Sequence, residues 1–168
     1  MGVFEWFDGE VPANLKTKQV YGIVFSKDGR ILLRAEETES GWIYSMGGGT
    51  PEPFDTDRIA TLRREMIEEV NTTLEDKVVM VGYQEVNEPG GKVPPYAQVR
   101  MTALIKEIGE AQPDPDNGKL YKRVLVPPQK AIELLNWGES GKAQIESAFK
   151  IAKENFEFEC FSNDETFV

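Results

Sequence analysis

Residues 58–70, RIATLRREMIEEV, carry the most restrictive pattern in the chain, because their apolar and acidic side chains separate at the period of a helix. At about 100° per residue, the apolar side chains share an arc of about 160° and the three central glutamates share a separate arc of about 100°. The apolar arc comprises Ile59, Ala60, Leu62, Met66, Ile67 and Val70. The segment therefore predicts a helix that packs one side against a core and turns Glu65, Glu68 and Glu69 outward.

Both ends of this helix carry capping signals. Thr56 or Asp57 can accept a hydrogen bond from the first free backbone N–H groups. Asn71 follows the last helical residue, and asparagine is second only to glycine as a left-handed helix terminus. These signals predict a helix that begins near residue 58 and ends near residue 70.

Strand patterns precede the helix. Residues 18–26 and 31–35 are rich in β-forming side chains and flank the turn signal KDG, which predicts a hairpin. Residues 41–46 predict a short strand that runs into a glycine turn at 47–49. Residues 50–57 hold two prolines and predict a loop.

After the helix, apolar segments alternate with loops. Residues 78–86, residues 96–105 and the segment from Tyr121 predict strands. Residues 131–137 and 142–156 predict helices, and Pro127 and Pro128 suit the start of the first of them. We find no internal repeat, low-complexity tract or linker. The chain is therefore expected to form one α+β domain.

Charge and composition exclude several classes of function. The chain has 19 basic and 29 acidic residues, a formal net charge of -10, which argues against stable nucleic-acid binding and against binding to anionic membranes. No apolar run approaches the roughly 18 residues of a membrane span, and the first residues lack a signal-peptide pattern. The single Cys160 cannot form an internal disulfide. We expect a cytoplasmic protein without membrane association.

The chain contains no histidine, which limits the chemistry available to it. Ser-His-Asp and Cys-His arrangements and most zinc sites are excluded. Any catalysis must then rest on carboxylates, lysine, tyrosine or a hard metal ion.

The spacing of the three glutamates allows two interpretations. Carboxylates at positions i, i+3 and i+4 converge on one side of a helix, where like charges cost a few tenths of a kcal/mol per pair. They can be an ordinary solvated helix face. Alternatively, they can supply oxygen ligands to Mg²⁺ or Mn²⁺.

The glycine run and the helix together resemble a family signature. Arg64, Glu65, Met66, Glu68 and Glu69 match in order the REUXEE core of the Nudix hydrolase signature GX5EX7REUXEEXGU, in which U is a bulky aliphatic residue. The resemblance covers residues 18–156 and implies the Nudix fold, a mixed β-sheet sandwiched between α-helices. Residues 1–17 are then an N-terminal extension, and residues 157–168 are a tail that forms an added strand or a flexible end.

The match departs from the signature before the helix. Counting back from the arginine places Thr56 at the first glutamate and Thr50 at the first glycine. A one-residue insertion in the loop would restore Gly49 to the glycine position and bring Asp55 near the missing glutamate. Asn71 replaces the final glycine, a substitution that a left-handed terminus tolerates.

The resemblance implies roles for five residues. Glu68 and Glu69 are expected to be metal ligands, Glu65 a ligand or the general base, and Gly49 a ligand through its backbone carbonyl. Arg64 is expected to orient a glutamate by a charge-assisted hydrogen bond.

The implied activity is metal-dependent hydrolysis. With Mg²⁺ as cofactor, or Mn²⁺ in its place, water would attack a phosphate of a nucleoside triphosphate or of a nucleoside diphosphate linked to another moiety. The alternative is a non-catalytic domain that binds a nucleotide as a sensor. Many members of the family are homodimers, so a homodimer is also implied.

Several residues outside the signature are candidates for substrate binding. Tyr96, Gln98 and Arg100 alternate along one strand and share a face. Arg100 is a candidate phosphate contact and Tyr96 a candidate stacking partner for a base, although a plain polar face is an equally good interpretation. Trp42 and Arg34 are further candidates, with core packing and surface charge as their alternatives. An additional acidic ligand is sought among Glu107, Glu110, Asp114 and Asp116.

Overall fold

The computed structural model of the protein describes residues 2–168, which form one nine-stranded mixed sheet and three helices. The predicted α+β architecture is therefore confirmed. In chain order the elements are β1 (Val3–Asp8), β2 (Lys16–Phe25), β3 (Ile31–Thr38), β4 (Gly41–Ser45), β5 (Gly47–Gly49), α1 (Arg58–Val70), β6 (Thr72–Asn87), β7 (Tyr96–Ile108), β8 (Lys122–Val126), α2 (Pro128–Leu135), α3 (Gly138–Asn155) and β9 (Thr166–Phe167).

Strand β2 lies in the middle of the sheet. The strand order is β1-β6-β7-β2-β3-β8-β9, with β4 paired to β3 and β5 paired to β2. The β2–β7 pair is parallel, and β5 runs antiparallel to β2. Tyr21 of β2 is consequently the register neighbour of both Gly48 in β5 and Arg100 in β7.

Alternate residues of β2 pack into two apolar layers on opposite faces of the sheet. Val20 and Val24 belong to the layer that contains Leu62 of α1. Ile23 and Phe25 belong to the layer that contains the buried side chains of α2 and α3. Burying one such side chain stabilises a fold by about 1.5–3 kcal/mol. The sheet is thus sandwiched between α1 and the α2–α3 pair, as expected.

Helix α1 is fixed at both ends. The Asp57 side chain accepts a 2.7 Å hydrogen bond from the Ala60 backbone N–H, so Asp57 rather than Thr56 is the cap. Asn71 adopts the left-handed conformation at φ 43° and donates its backbone N–H to the Ile67 carbonyl. These caps fix where the helix begins and ends, and burial of Leu62 and Met66 in the core sets which side carries the glutamates.

The glycine run differs from its prediction. Gly47–Gly49 form a strand paired with β2 instead of a turn. Gly48, at φ 150°, lies so close to β2 that a Cβ atom there would overlap the Val20 carbonyl oxygen. This close approach of two backbones explains why residue 48 is a glycine. The approach results from pairing with a strand more than 20 residues away in the chain, which a local sequence pattern does not reveal.

Other differences concern boundaries and termini. β6 begins at Thr72 instead of residue 78, because the left-handed Asn71 turns the chain directly from the helix into the sheet. Helix α3 starts at Gly138, four residues earlier than predicted, whereas α2 starts at Pro128, where the prolines predicted a helix start. The N-terminal extension contains β1, which pairs with β6, and the tail contains β9, which pairs with β8. No helix among residues 2–168 is long and apolar enough to span a membrane.

Candidate metal and active site

The acidic side of α1 faces strand β5 and not open solvent. Glu65 is only 6% exposed, and a Cβ atom on Gly49 would stand 2.5 Å from its carboxyl carbon. Glu69 accepts a 3.1 Å hydrogen bond from the Gly48 backbone N–H. Glu68 is more accessible, with 28% of its side chain exposed. The interpretation as a solvated helix face therefore does not hold for Glu65 and Glu69.

Glu65, Glu68 and Glu69 form an acidic group, and Arg64 pairs with the first two of these glutamates. Its Nη1 donates to Glu65 at 2.8 Å and to Glu68 at 2.9 Å. Its Nε and Nη2 donate to the two carboxyl oxygens of Asp55 at 3.1 and 2.9 Å, and Nη2 also reaches the Thr50 carbonyl. The Arg64 guanidinium holds the pKa of Asp55 well below its usual range. Asp55 thus supplies the acidic partner that the loop insertion was expected to bring near the missing glutamate.

Arg34 pairs with the third glutamate of the acidic group, Glu69. Its Nη1 donates to Glu69 at 2.7 Å, and its guanidinium lies 4.3 Å from the centre of the Tyr121 ring. Arg34 therefore contacts a candidate metal ligand directly, in addition to its candidate role toward phosphate.

Burial dominates the electrostatics of the two inner glutamates. It raises the pKa of Glu69 to about 7, against the opposing effects of Arg34 and the Gly48 N–H. Burial also raises the pKa of Glu65, although Arg64 lowers it. Asp114 adds to the rise at Glu69, and Asp116 adds to the rise at Glu65. Of the four acids considered as additional ligands, these two thus act on the site electrostatically.

The residues present fit a hard divalent cation. Within residues 2–168, no three Asp, Glu or Cys side chains are grouped as a preformed cage, because Arg64 and Arg34 pair with the glutamates. The three glutamates nevertheless offer only oxygen donors, which Mg²⁺ and Mn²⁺ prefer, and Gly49, the candidate carbonyl ligand, lies beside Glu65. A bound cation would also compensate two carboxylates that burial destabilises in their charged form. The absence of a Cβ at Gly49 leaves the space that the Glu65 carboxylate occupies.

The candidate substrate residues lie in three different places. Arg100 lines a cavity of about 510 Å³ on the α3 side of the sheet. Tyr96 lies at a second hollow, where its ring is 4.2 Å from the Lys18 ammonium. Trp42 packs against Phe167 at 5.9 Å and lines a third hollow. The structure therefore does not bring these three residues together.

The Arg100 cavity adjoins the acidic group through Tyr21. Tyr21 lines the cavity and is the register neighbour of Gly48, whose N–H binds Glu69. The lining residues are Phe4, Tyr21, Ser45, Gln84, Gln98, Arg100, Trp137 and Ser140.

Sequence reasoning missed most of these lining residues. They come from strands and a helix that are distant in the chain, and no local spacing signals their convergence. For Asp55 a signal did exist, namely the one-residue insertion that keeps Gly49 at the glycine position of the signature and brings Asp55 near the first glutamate.

Comparisons with known proteins agree with the fold. The model of the NUDIX domain family matches residues 15–148. No curated protein sequence matches the chain.

Solved structures share the fold at low sequence identity. The Bacillus subtilis pyrophosphohydrolase BsRppH has 18% identity over 93% of this chain and 94% of its own, with a TM-score of 0.64. A NUDIX hydrolase from Nitrosomonas europaea has 15% identity over 84% of this chain and 93% of its own, with a TM-score of 0.59. A MutT structure, from work on Aliivibrio salmonicida and Vibrio cholerae, has 15% identity over 81% of this chain and 98% of its own, with a TM-score of 0.52.

Proposed function

Because this chain belongs to the Nudix family of hydrolases, which act on phosphoric anhydride bonds, we propose that it is a divalent-metal-dependent pyrophosphohydrolase. Its substrate is a nucleoside triphosphate or a nucleoside diphosphate linked to another moiety. One observation carries the proposal: the carboxylates of α1 are gathered against β5 and kept in place there by two arginines.

Glu65, Glu68, Glu69 and the Gly49 carbonyl would hold Mg²⁺, or Mn²⁺ in its place. When bound, the cation supplies charge neutralisation at the phosphate and lowers the pKa of water. The buried position of Glu65 and Glu69 keeps bulk water away from the reacting phosphate, which strengthens electrostatic interactions there.

Arg64 and Asp55 have a positioning role. The two-pronged contact with Asp55 fixes the plane of the Arg64 guanidinium. The remaining donor, Nη1, then orients Glu65 and Glu68. Neither Arg64 nor Asp55 needs to touch the substrate to support catalysis.

Glu65 is suited to act as the general base as well as a ligand. Its pKa is raised by burial, and a raised pKa makes a carboxylate a better proton acceptor near neutral pH. In this role it takes the proton of the attacking water while the anhydride bond breaks.

The substrate moiety beyond the diphosphate occupies the cavity beside Tyr21. Its volume of about 510 Å³ lies within the usual range of ligand sites, about 300–1,000 Å³. Arg100 is the cavity's charged contact, whereas Tyr96 and Trp42 lie at two other hollows and are candidate contacts only for a substrate that extends there. Net charge of -10 supports a small nucleotide rather than a nucleic acid as the ligand.

The sensor alternative rests on the altered glycine and first-glutamate positions of the signature. The contact between Asp55 and Arg64 supports Asp55 as the acidic residue of the first-glutamate position, which weakens this alternative. A catalytic protein is therefore the better proposal.

A substrate panel tests the proposed function. The protein is incubated with nucleoside triphosphates, ADP-ribose, diadenosine polyphosphates and nucleotide sugars, in Mg²⁺, in Mn²⁺ and in EDTA, and the products are identified. We expect metal-dependent cleavage of an anhydride bond in at least one class. Equal product in EDTA, or no product from any class, would refute the proposal.

A further inference from the structure

A buried arginine without an acidic partner lies on the side of the sheet opposite to α1. Arg100 is 3% exposed, and none of the ion pairs within residues 2–168 includes it. Its Nε donates to Gln144 and its Nη2 to Gln84, both at 2.9 Å. Its Nη1 donates weakly to the Gln98 carbonyl at 3.4 Å. All three acceptors are neutral, in a chain with 29 acidic residues.

The guanidinium nevertheless keeps its charge. Burial lowers the pKa of Arg100 to about 10, which is still well above neutral pH. A buried cation without a counter-charge is unfavourable in a folded protein. A bound anion would supply the missing counter-charge.

The hydrogen bonds around Arg100 leave donors, rather than acceptors, free to face the cavity. The Ser140 hydroxyl oxygen accepts from Gln84 Nε2 at 3.2 Å and from Gln144 Nε2 at 3.1 Å, so its own O–H is left to donate elsewhere. A guanidinium has five N–H groups. Three of those on Arg100 have acceptors among residues 2–168, which leaves two. Arg100 and Ser140 both line the cavity of about 510 Å³.

Two aromatic rings lie beside the guanidinium. The Arg100 guanidinium carbon lies 4.8 Å from the centre of the Tyr21 ring and 5.9 Å from that of Trp137. Such a setting strengthens the attraction between a cation and an anion, because the local dielectric constant is low.

Gly48, whose N–H binds Glu69, lies two strands away from Arg100 in the sheet. Gly48, Tyr21 and Arg100 are register neighbours across β5, β2 and β7. Adjacent strands are about 4.8 Å apart, so the backbones of Gly48 and Arg100 are separated by about 10 Å. Tyr21 lies between these two positions in the sheet, and its side chain lines the Arg100 cavity.

We propose that this cavity binds an anionic group, a phosphate or a carboxylate, at the end of the substrate remote from the scissile anhydride. Arg100 and Ser140 donate hydrogen bonds to its oxygen atoms, while Gln84 and Gln144 hold the guanidinium in place. A neutral group would leave these donors unpaired. The inference rests on the proposed function, and it names the chemical class of the distal moiety.

Matched substrate pairs test the inference through hydrolysis. Coenzyme A and 3′-dephospho-coenzyme A differ by one phosphate, and UDP-glucuronate and UDP-glucose differ by one carboxylate. The wild type should favour the charged member of at least one pair by about 10-fold or more in kcat/KM. The pair that shows the preference distinguishes phosphate from carboxylate. In Arg100→Met the ratio should fall to about 1.

The test compares the ratio of kcat/KM values within each substrate pair. Arg30→Met removes one positive charge at the distant β2–β3 turn, where Arg30 pairs with Asp28 at 2.9 Å, and should keep the wild-type ratio. A preference that persists in Arg100→Met would overturn the inference, and so would equal rates on both members of both pairs in the wild type.

Binding of inorganic phosphate in EDTA separates this inference from the proposed function. Titration calorimetry should show phosphate binding to the wild type and binding at least about 10-fold weaker to Arg100→Met. Equal binding by both proteins, or none by the wild type, would count against the site. If phosphate binds through Arg100 while no anhydride is cleaved, the proposed function fails and the anion site stands.

If Arg100→Met does not fold, Ser140→Ala serves as a second variant. It keeps the charge of Arg100 and should weaken phosphate binding through loss of one donor; unchanged binding would contradict the assignment.

Discussion

Glu69 Oε1 lies 2.7 Å from Nη1 of Arg34, and this pair connects helix α1 with strand β3 across the acidic group. The pair is mostly buried, with side-chain exposures of 11% for Glu69 and 22% for Arg34. The second carboxyl oxygen of Glu69 accepts from the Gly48 N–H. Glu69, which the family resemblance implies to be a metal ligand, is therefore fixed between an arginine and a strand backbone.

The raised pKa of Glu69 predicts pH-dependent metal binding. Its folded-state value of about 7 exceeds the ordinary value of 4.5, so the metal-free fold gains stability from a proton on Glu69. That stability is fully present below about pH 4.5 and is lost as pH rises through about 7. Metal binding must displace this proton, and Mg²⁺ affinity should fall as pH drops below about 7. Calorimetry in buffers of different ionisation enthalpy should detect proton release, which Glu69→Gln should abolish. The same affinity and no proton release across this range would contradict the assignment.

Two adjacent glycines should respond differently to alanine. At Gly49 the added Cβ meets only the end of the flexible Glu65 side chain, which can move aside. We therefore expect Gly49→Ala to unfold near the wild-type temperature but to lose about 100-fold in kcat/KM, because the carboxylate is displaced. At Gly48 the Cβ meets the backbone of β2, so Gly48→Ala should lower the melting temperature itself. Full activity in Gly49→Ala would show that Glu65 does not need its observed position.

The contact between Asp55 and Arg64 should affect catalysis without affecting the cap of α1. Asp55→Asn removes the charge that fixes the Arg64 guanidinium, and kcat/KM should fall by about 10-fold or more. Asp57→Asn is the matched control, two residues away, because asparagine caps a helix as well as aspartate does. Equal activity of the two variants would exclude a positioning role for Asp55.

Local signals in the sequence were enough to predict helix α1 and its acidic side. The apolar period, the Asp57 cap and the left-handed Asn71 all act within one or two helical turns, so they can be recognised without knowledge of the fold. The order Arg64, Glu65, Glu68, Glu69 then gave the family resemblance.

Long-range pairing accounts for what the sequence did not reveal. The glycine run becomes a strand only because β2 lies beside it, and the pairing of Arg34 with Glu69 joins residues 35 positions apart. The cavity around Arg100 depends on Trp137 and Ser140 from the far end of the chain. Side chains that meet through sheet register and helix packing leave no spacing pattern in the sequence.

The most direct test of the account is the rate of Mg²⁺-dependent hydrolysis by variants of the acidic side of α1. On the best substrate of the panel, Glu68→Gln and Glu69→Gln should each lose at least about 100-fold in kcat/KM. Glu146→Gln, which changes an exposed glutamate on α3, should retain the wild-type rate. If Glu68→Gln and Glu69→Gln are as active as Glu146→Gln, the carboxylates gathered against β5 do not form the catalytic site.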